Sequence, residues 1–112
     1  MIRHIVFFSV PRPEDRKAVL EGLALLTRIP HPLCLEIAEN LRIDPFDNTV
    51  DVVVYGEFAN QADLEAYKAH PLYAESIRRV RPLRELRVAA DTDGVSGIFS
   101  RKSEAAAVTP MA

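Results

Sequence analysis

Nearly all the strand-like segments of this chain are apolar on both of their faces, and that leaves few architectures open to it. The first is residues 2–10, Ile2-Arg3-His4-Ile5-Val6-Phe7-Phe8-Ser9-Val10. Successive strand side chains point to opposite faces. Ile2, His4, Val6, Phe8 and Val10 therefore share one face, and Ile5 and Phe7 lie on the other. Pro11 and Pro13 end the strand, because proline cannot donate to a ladder. Pro13-Glu14-Asp15 has the marks of a helix start. Val19, Leu20, Leu23 and Leu26 follow at helical spacing and predict an amphipathic helix over 13–28. Gly22 inside it costs roughly 1 kcal/mol against alanine; close packing on a sheet would account for it.

Beyond Pro30-His31-Pro32 the apolar residues alternate again. Leu33, Leu35, Ile37, Leu41 and Ile43 predict a strand over 33–43 with a bulge near Glu39-Asn40. A turn cluster over 44–48 precedes the most β-prone segment, residues 50–58. Asn60 is a good N-cap for a short helix that runs to Ala69. His70-Pro71 interrupts it. Tyr73, Ile77 and Val80 mark a further helix over 72–81, and Pro82 stops it. Leu86, Val88 and Ala90 alternate in a last strand over 84–91.

The order β-α-β-β-α-β is the ferredoxin-like pattern of an α+β protomer. Its four-stranded antiparallel sheet carries helices on one face. The other face is apolar too and has to be covered. Pairing two such sheets into a β-barrel is the economical solution, so a homodimer is expected. With 112 residues the chain holds one domain. We place it over 1–91, with 92–112 as a C-terminal tail that is flexible or docks on the dimer.

The net charge of −2 offers no bulk attraction to nucleic acid or to an anionic membrane. Cys34, the single cysteine, fits a reducing compartment. No apolar run is long enough to span a bilayer, and the N-terminus lacks signal-peptide features. The chain reads as cytoplasmic. None of its 4 glycines fits a nucleotide fingerprint. His4, His31 and His70 lack metal-ligand spacing. Neither a metal nor another cofactor is expected.

His4 is the residue that points to chemistry. It is a titratable ring on a face that is otherwise apolar, so it needs a hydrogen-bond partner or a polar cavity beside it. Four polar rings can converge: His4, Tyr67, His70 and Tyr73. Neutral histidine takes or gives a proton near pH 7. A tyrosine hydroxyl donates to a developing enolate oxygen. His4 and Tyr73 are the catalytic candidates; Tyr67, Phe8 and His70 are the substrate-binding ones. The competing structural readings are a hydrogen-bonded core network for His4 and a helix-break cap for His70. Arg78, Arg79, Arg81, Arg84 and Arg87 form a solvated face paired with Glu75 and Glu85, a subset of which can hold a substrate carboxylate at a pocket mouth.

Three stretches carry a family resemblance: Met1-Ile2-Arg3-His4-Ile5-Val6-Phe7-Phe8, Asp51-Val52-Val53-Val54-Tyr55-Gly56-Glu57-Phe58 and Leu64-Glu65-Ala66-Tyr67-Lys68-Ala69-His70-Pro71. With the helix and strand that follow, up to Asp91, their order resembles the stress-responsive A/B barrel domain of the dimeric α+β barrel superfamily. The resemblance implies a ferredoxin-like protomer that dimerises into a barrel. Some members of that family resemble plant stress proteins that assemble into stable oligomers. Plant polyketide cyclases of the family perform a cofactor-free aldol condensation between sheet and helices. His4 matches their first-strand histidine, and Tyr67 matches the tyrosine before their His-Pro pair. Their second histidine corresponds to Tyr73 here, so that base is absent.

The expectation is a small homodimer with a hydrophobic pocket for a carbonyl or aromatic compound. It would act as a cofactor-free isomerase, cyclase or lyase with His4 moving the proton. The alternative is a non-enzymatic stress-responsive or assembly protein with His4 as a structural core residue. A water-accessible cavity beside His4 separates the two.

Overall fold

Alternation of apolar residues places β1 (Ile2–Phe8) at the centre of a four-stranded sheet. The computed structural model describes residues 1–102. β1 pairs antiparallel with β3 (Val52–Phe58) on one side and with β4 (Arg87–Asp93) on the other. β2 (Cys34–Glu39) completes the order β2-β3-β1-β4 by pairing antiparallel with β3. Three helices supply the second layer: α1 (Arg16–Ala24), α2 (Gln61–Ala69) and α3 (Pro71–Val80). Asn60 caps α2 by accepting the Asp63 N–H at 2.8 Å. The chain has the expected ferredoxin-like α+β architecture. No helix among the described residues is long and apolar enough to cross a membrane.

The register sorts the side chains. His4 lies opposite Gly56, Val6 opposite Val54 and Phe8 opposite Val52. Directly opposed residues share a face, so all of these point to the helices. Val19, Leu23, Leu26, Leu64, Tyr67 and Val80 close over them from the helical layer. Ile5, Phe7, Val53, Tyr55, Val88 and Ala90 fall on the other face by the same rule.

Four expectations change in detail. The predicted helix over 13–28 is α-helical only at its centre, with 3-10 turns at Pro13–Asp15 and Leu25–Arg28. Gly22 packs on α3 rather than on the sheet: a Cβ there would come within 2.9 Å of Val80 Cγ2. The second strand stops at Glu39 instead of 43. Asn40 diverts it, donating to the Val50 carbonyl at 2.7 Å and accepting the Arg42 N–H at 2.8 Å. Arg42 takes a left-handed φ of 59°, and Leu41 and Ile43 stand 79% and 81% exposed. The last strand begins at Arg87, not 84, and runs to Asp93. Leu83 and Arg84 N–H still bond the Val80 carbonyl, and Ser9 engages Glu85 and Leu86 before pairing with β1 can start. The tail placed over 92–112 lies outside the described residues from 103 onward.

A buried acid ties the end of β1 to its surroundings. Asp51 accepts the Val10 N–H at 2.6 Å and the Arg16 guanidinium at 3.1 Å, and it also meets Arg42. Burial pushes the Asp51 carboxyl up, but Val10, Arg42 and Arg16 outweigh burial and hold it below the usual carboxylate range. Asp51→Ala would leave the buried Val10 N–H and two guanidinium groups without their acceptor. We expect a loss of about 2 kcal/mol in urea unfolding, measured by circular dichroism. An unchanged midpoint would mean that water replaces the carboxylate without cost.

Candidate active site

His4 is 2% exposed and lies on the helix-facing side of the central strand. Its backbone partner across β4 is Asp91. The two side chains therefore leave the sheet on the same face, and His4 Nδ1 meets Asp91 Oδ1 at 2.5 Å. Asp91 is 44% exposed and also borders a groove lined by Leu64, Lys68 and Thr92. The acid thus connects a buried imidazole to solvent.

A cavity of about 230 Å³ opens on the other side of the histidine. Val6, Phe8 and Val54 form its sheet wall, and Leu23 and Leu26 line it from α1 and the turn that follows. α3 contributes Tyr73, Ser76, Ile77 and Val80, the i, i+3, i+4, i+7 stripe that its helical period turns inward. Among the described residues the sealed polar side-chain atoms without a partner are Arg16 Nε and Asn48 Oδ1. His4 Nε2 and the Tyr67 hydroxyl are not among them, although neither bonds another described side chain. Both groups therefore reach the cavity.

The aromatic rings pack edge to face. Tyr67 lies 6.4 Å from the His4 ring and 5.2 Å from the Tyr73 ring, centroid to centroid. Burial pushes the Tyr67 phenol far above its ordinary value, and the neighbouring Tyr73 adds to this. Tyr67 is consequently a protonated donor throughout the physiological range. Burial also holds the His4 imidazole below the usual histidine value. The Asp91 hydrogen bond and charge oppose that, while Lys68 and Arg87 reinforce it. A neutral His4 beside a carboxylate keeps its proton on Nδ1, which leaves the Nε2 lone pair facing the cavity.

His4, Tyr67, Tyr73 and Phe8 come together around this cavity. His70 does not line it. Its Nδ1 accepts the Leu72 N–H at 3.1 Å and caps α3. His31 is half-buried with its ring 6.3 Å from that of His70, away from the site. The expected Arg–Glu pairing holds for Arg78 and Arg79 with Glu75, while among the described residues Glu85 has no ion pair. Of the five arginines expected to form a solvated face with a subset at a pocket mouth, Arg81, Arg84 and Arg87 line the cavity; Asp91 and Ser76 are site residues that sequence reasoning missed. Asp91 is 87 residues from His4, and only the β1–β4 register joins them. Among the described residues no three His, Cys, Asp or Glu side chains converge to hold a metal.

The profile of the stress responsive A/B barrel domain matches residues 2–93. A search of curated proteins finds no match. Solved structures repeat the fold. A dabb family protein with a ferredoxin-like fold from Mesorhizobium loti is 24% identical, with a TM-score of 0.72 over 85% of this chain and 97% of that one. A dimeric ferredoxin-like protein of unknown function from Thermobifida fusca is 23% identical, with a TM-score of 0.70 over 81% of this chain and 88% of that one. A candidate antibiotic biosynthesis monooxygenase from Nitrosomonas europaea is 21% identical, with a TM-score of 0.70 over 85% of this chain and 99% of that one.

The lowered proton affinity of His4 has a sign that can be measured. Between its native value and the ordinary histidine value, the unfolded chain binds the proton more readily. His4's contribution to stability is therefore complete above about pH 6.5 and is lost as pH falls toward the native value. Urea midpoints between about pH 7 and 5.5 should fall in the wild type and fall less in His4→Gln. Equal slopes would mean that His4 titrates as it does in the unfolded chain.

Proposed function

This chain belongs to the stress responsive A/B barrel domain family, and within that family we propose that it is a cofactor-free proton-transfer enzyme acting on a small carbonyl or aromatic compound. The observation that carries the reading is the 2.5 Å His4–Asp91 contact with the far nitrogen of the ring on a cavity. His4 Nε2 takes a proton from a carbon beside the substrate carbonyl. Asp91 holds the tautomer that makes Nε2 the base, and it stabilises the imidazolium that forms. Tyr67 donates to the enolate oxygen as charge develops there, and Tyr73 stands beside it as a second donor. Returning the proton at another atom gives isomerisation; ring closure or bond cleavage from the enolate gives a cyclase or lyase outcome. Phe8 supplies an apolar wall for the substrate body. His70 enters this reading through α3, whose first turn it caps.

The non-enzymatic reading requires His4 to be packed in without space. The cavity beside it favours the pocket. Assembly is compatible with either reading. The outer sheet face carries Phe7 and Val88, which are 36% and 48% exposed in one protomer. Some fold neighbours are described as dimeric. We propose that this face pairs with a second copy to form the barrel. Removing apolar surface of this kind from water is favourable by about 25 cal/mol per Å².

Two experiments follow. A β-keto compound incubated with the protein in D2O should lose its acidic C–H signal in proton NMR at an enzyme-dependent rate. His4→Ala should slow that exchange by about 10²–10⁴-fold, and Asp91→Asn should slow it less. Exchange at the same rate in folded His4→Ala would remove His4 as the base. Phe7→Glu should convert a dimer to a monomer in multi-angle light scattering. A wild-type monomer at micromolar concentration would contradict the barrel.

A further inference from the structure

Arg81, Arg84 and Arg87 all line the His4 cavity, and because Arg81 and Arg87 are exposed and Arg84 half-buried, they stand at its solvent side. They come from one short segment: Arg81 is the C-cap of α3, Arg84 lies in the turn, and Arg87 opens β4. Elsewhere, Arg12 is paired with Glu14, Arg16 and Arg42 with Asp51, and Arg78 with Glu75. Among the described residues none of the mouth arginines has a carboxylate partner. Arg84 donates to the Glu85 carbonyl at 3.3 Å, and Arg87 stands 3.5 Å from the Tyr73 hydroxyl. Like charges gathered beside an apolar cavity repel each other, and such a cleft concentrates anions.

The interior does not supply the missing charge. Its walls are apolar, and Tyr67, Tyr73 and Ser76 are neutral donors. The Asp91 carboxylate lies against Nδ1 of His4, the ring nitrogen opposite the cavity-facing Nε2. A ligand that suits this site carries its negative charge at one end and an uncharged body at the other. The arginine fork matches a planar carboxylate through paired hydrogen bonds. The volume of about 230 Å³ lies below the range for drug-sized ligands, so the body is about one ring in size.

Building on the pocket reading above, we infer that the substrates are small carboxylates, with the acid held by Arg81, Arg84 and Arg87 and the reacting carbonyl end directed toward His4. This orientation also fixes which carbon meets Nε2, because the acid cannot enter the apolar end without losing its partners.

Calorimetric titration of the full chain with phenylacetate, phenylacetamide and phenyl phosphate tests it. Phenylacetate should bind about tenfold more tightly than the uncharged amide. Arg84→Gln and Arg87→Gln should remove that difference while leaving the amide's affinity unchanged. Added salt should weaken phenylacetate and not the amide in the unaltered protein, a readout that needs no variant. Equal binding of acid and amide would overturn the inference and leave the proton-transfer reading standing, since C–H exchange tests that reading separately. Tighter binding of phenyl phosphate would overturn the carboxylate assignment. Failure of all three probes, together with absent exchange, would overturn both readings.

Discussion

The register between β1 and β4 is the constraint on which the site depends. It sets His4 opposite Asp91 and Val6 opposite Ala89. A slip of one residue would turn Asp91 to the outer face and leave a buried imidazole without its acceptor. The register that gives His4 its acceptor also sets Val88 and Ala90 on the outer face beside Phe7 and Ile5, so the hydrogen bond and the apolar outer face require the same pairing. Glu85 N–H to the Ser9 carbonyl, and Leu86 N–H to the Ser9 hydroxyl, fix where the pairing starts.

The fold separates its two buried acid–base clusters by task. Asp51 is buried and both of its oxygens are engaged, by a backbone N–H and by two guanidinium groups, so it serves the fold. It joins the end of β1, the start of α1 and the loop before β3. His4 has one strong partner and one free side. Such incomplete satisfaction costs stability in a core, and here it leaves a nitrogen available at a cavity. Gly56, opposite His4, belongs to the same economy of space: a Cβ would come within 2.9 Å of Leu35 Cδ1. The close approach keeps β2 and β3 packed beneath the site.

Much of this is visible in the amino-acid order because periodicity reports faces. The alternation in residues 2–10 places His4 among core residues, and the stripe of Tyr73, Ile77 and Val80 predicts the inward face of α3. Asn60 and His70 are recognisable as caps, because unpaired N–H groups at a helix start need an acceptor. What periodicity cannot report is pairing between distant segments. Asp91 reads as the polar end of a strand until its neighbour is known. Leu41 and Ile43 keep the strand period but are exposed, because Asn40 offers the backbone a competing set of hydrogen bonds. The arginines of the α3–β4 connection read as a solvated run; only the turn between helix and strand brings three of them to one opening.

The proposed chemistry requires a His4 that is neutral at pH 7, with its proton on Nδ1 beside Asp91 and its Nε2 lone pair on the cavity. Nitrogen-15 NMR of the histidine rings tests this directly, since the two ring nitrogens have different shifts in each tautomer and in the imidazolium. His4 should show a protonated Nδ1 and an unprotonated Nε2, reverting to a mixture of tautomers in Asp91→Asn. A His4 that carries its proton on Nε2, or that is already an imidazolium at pH 7, would contradict it.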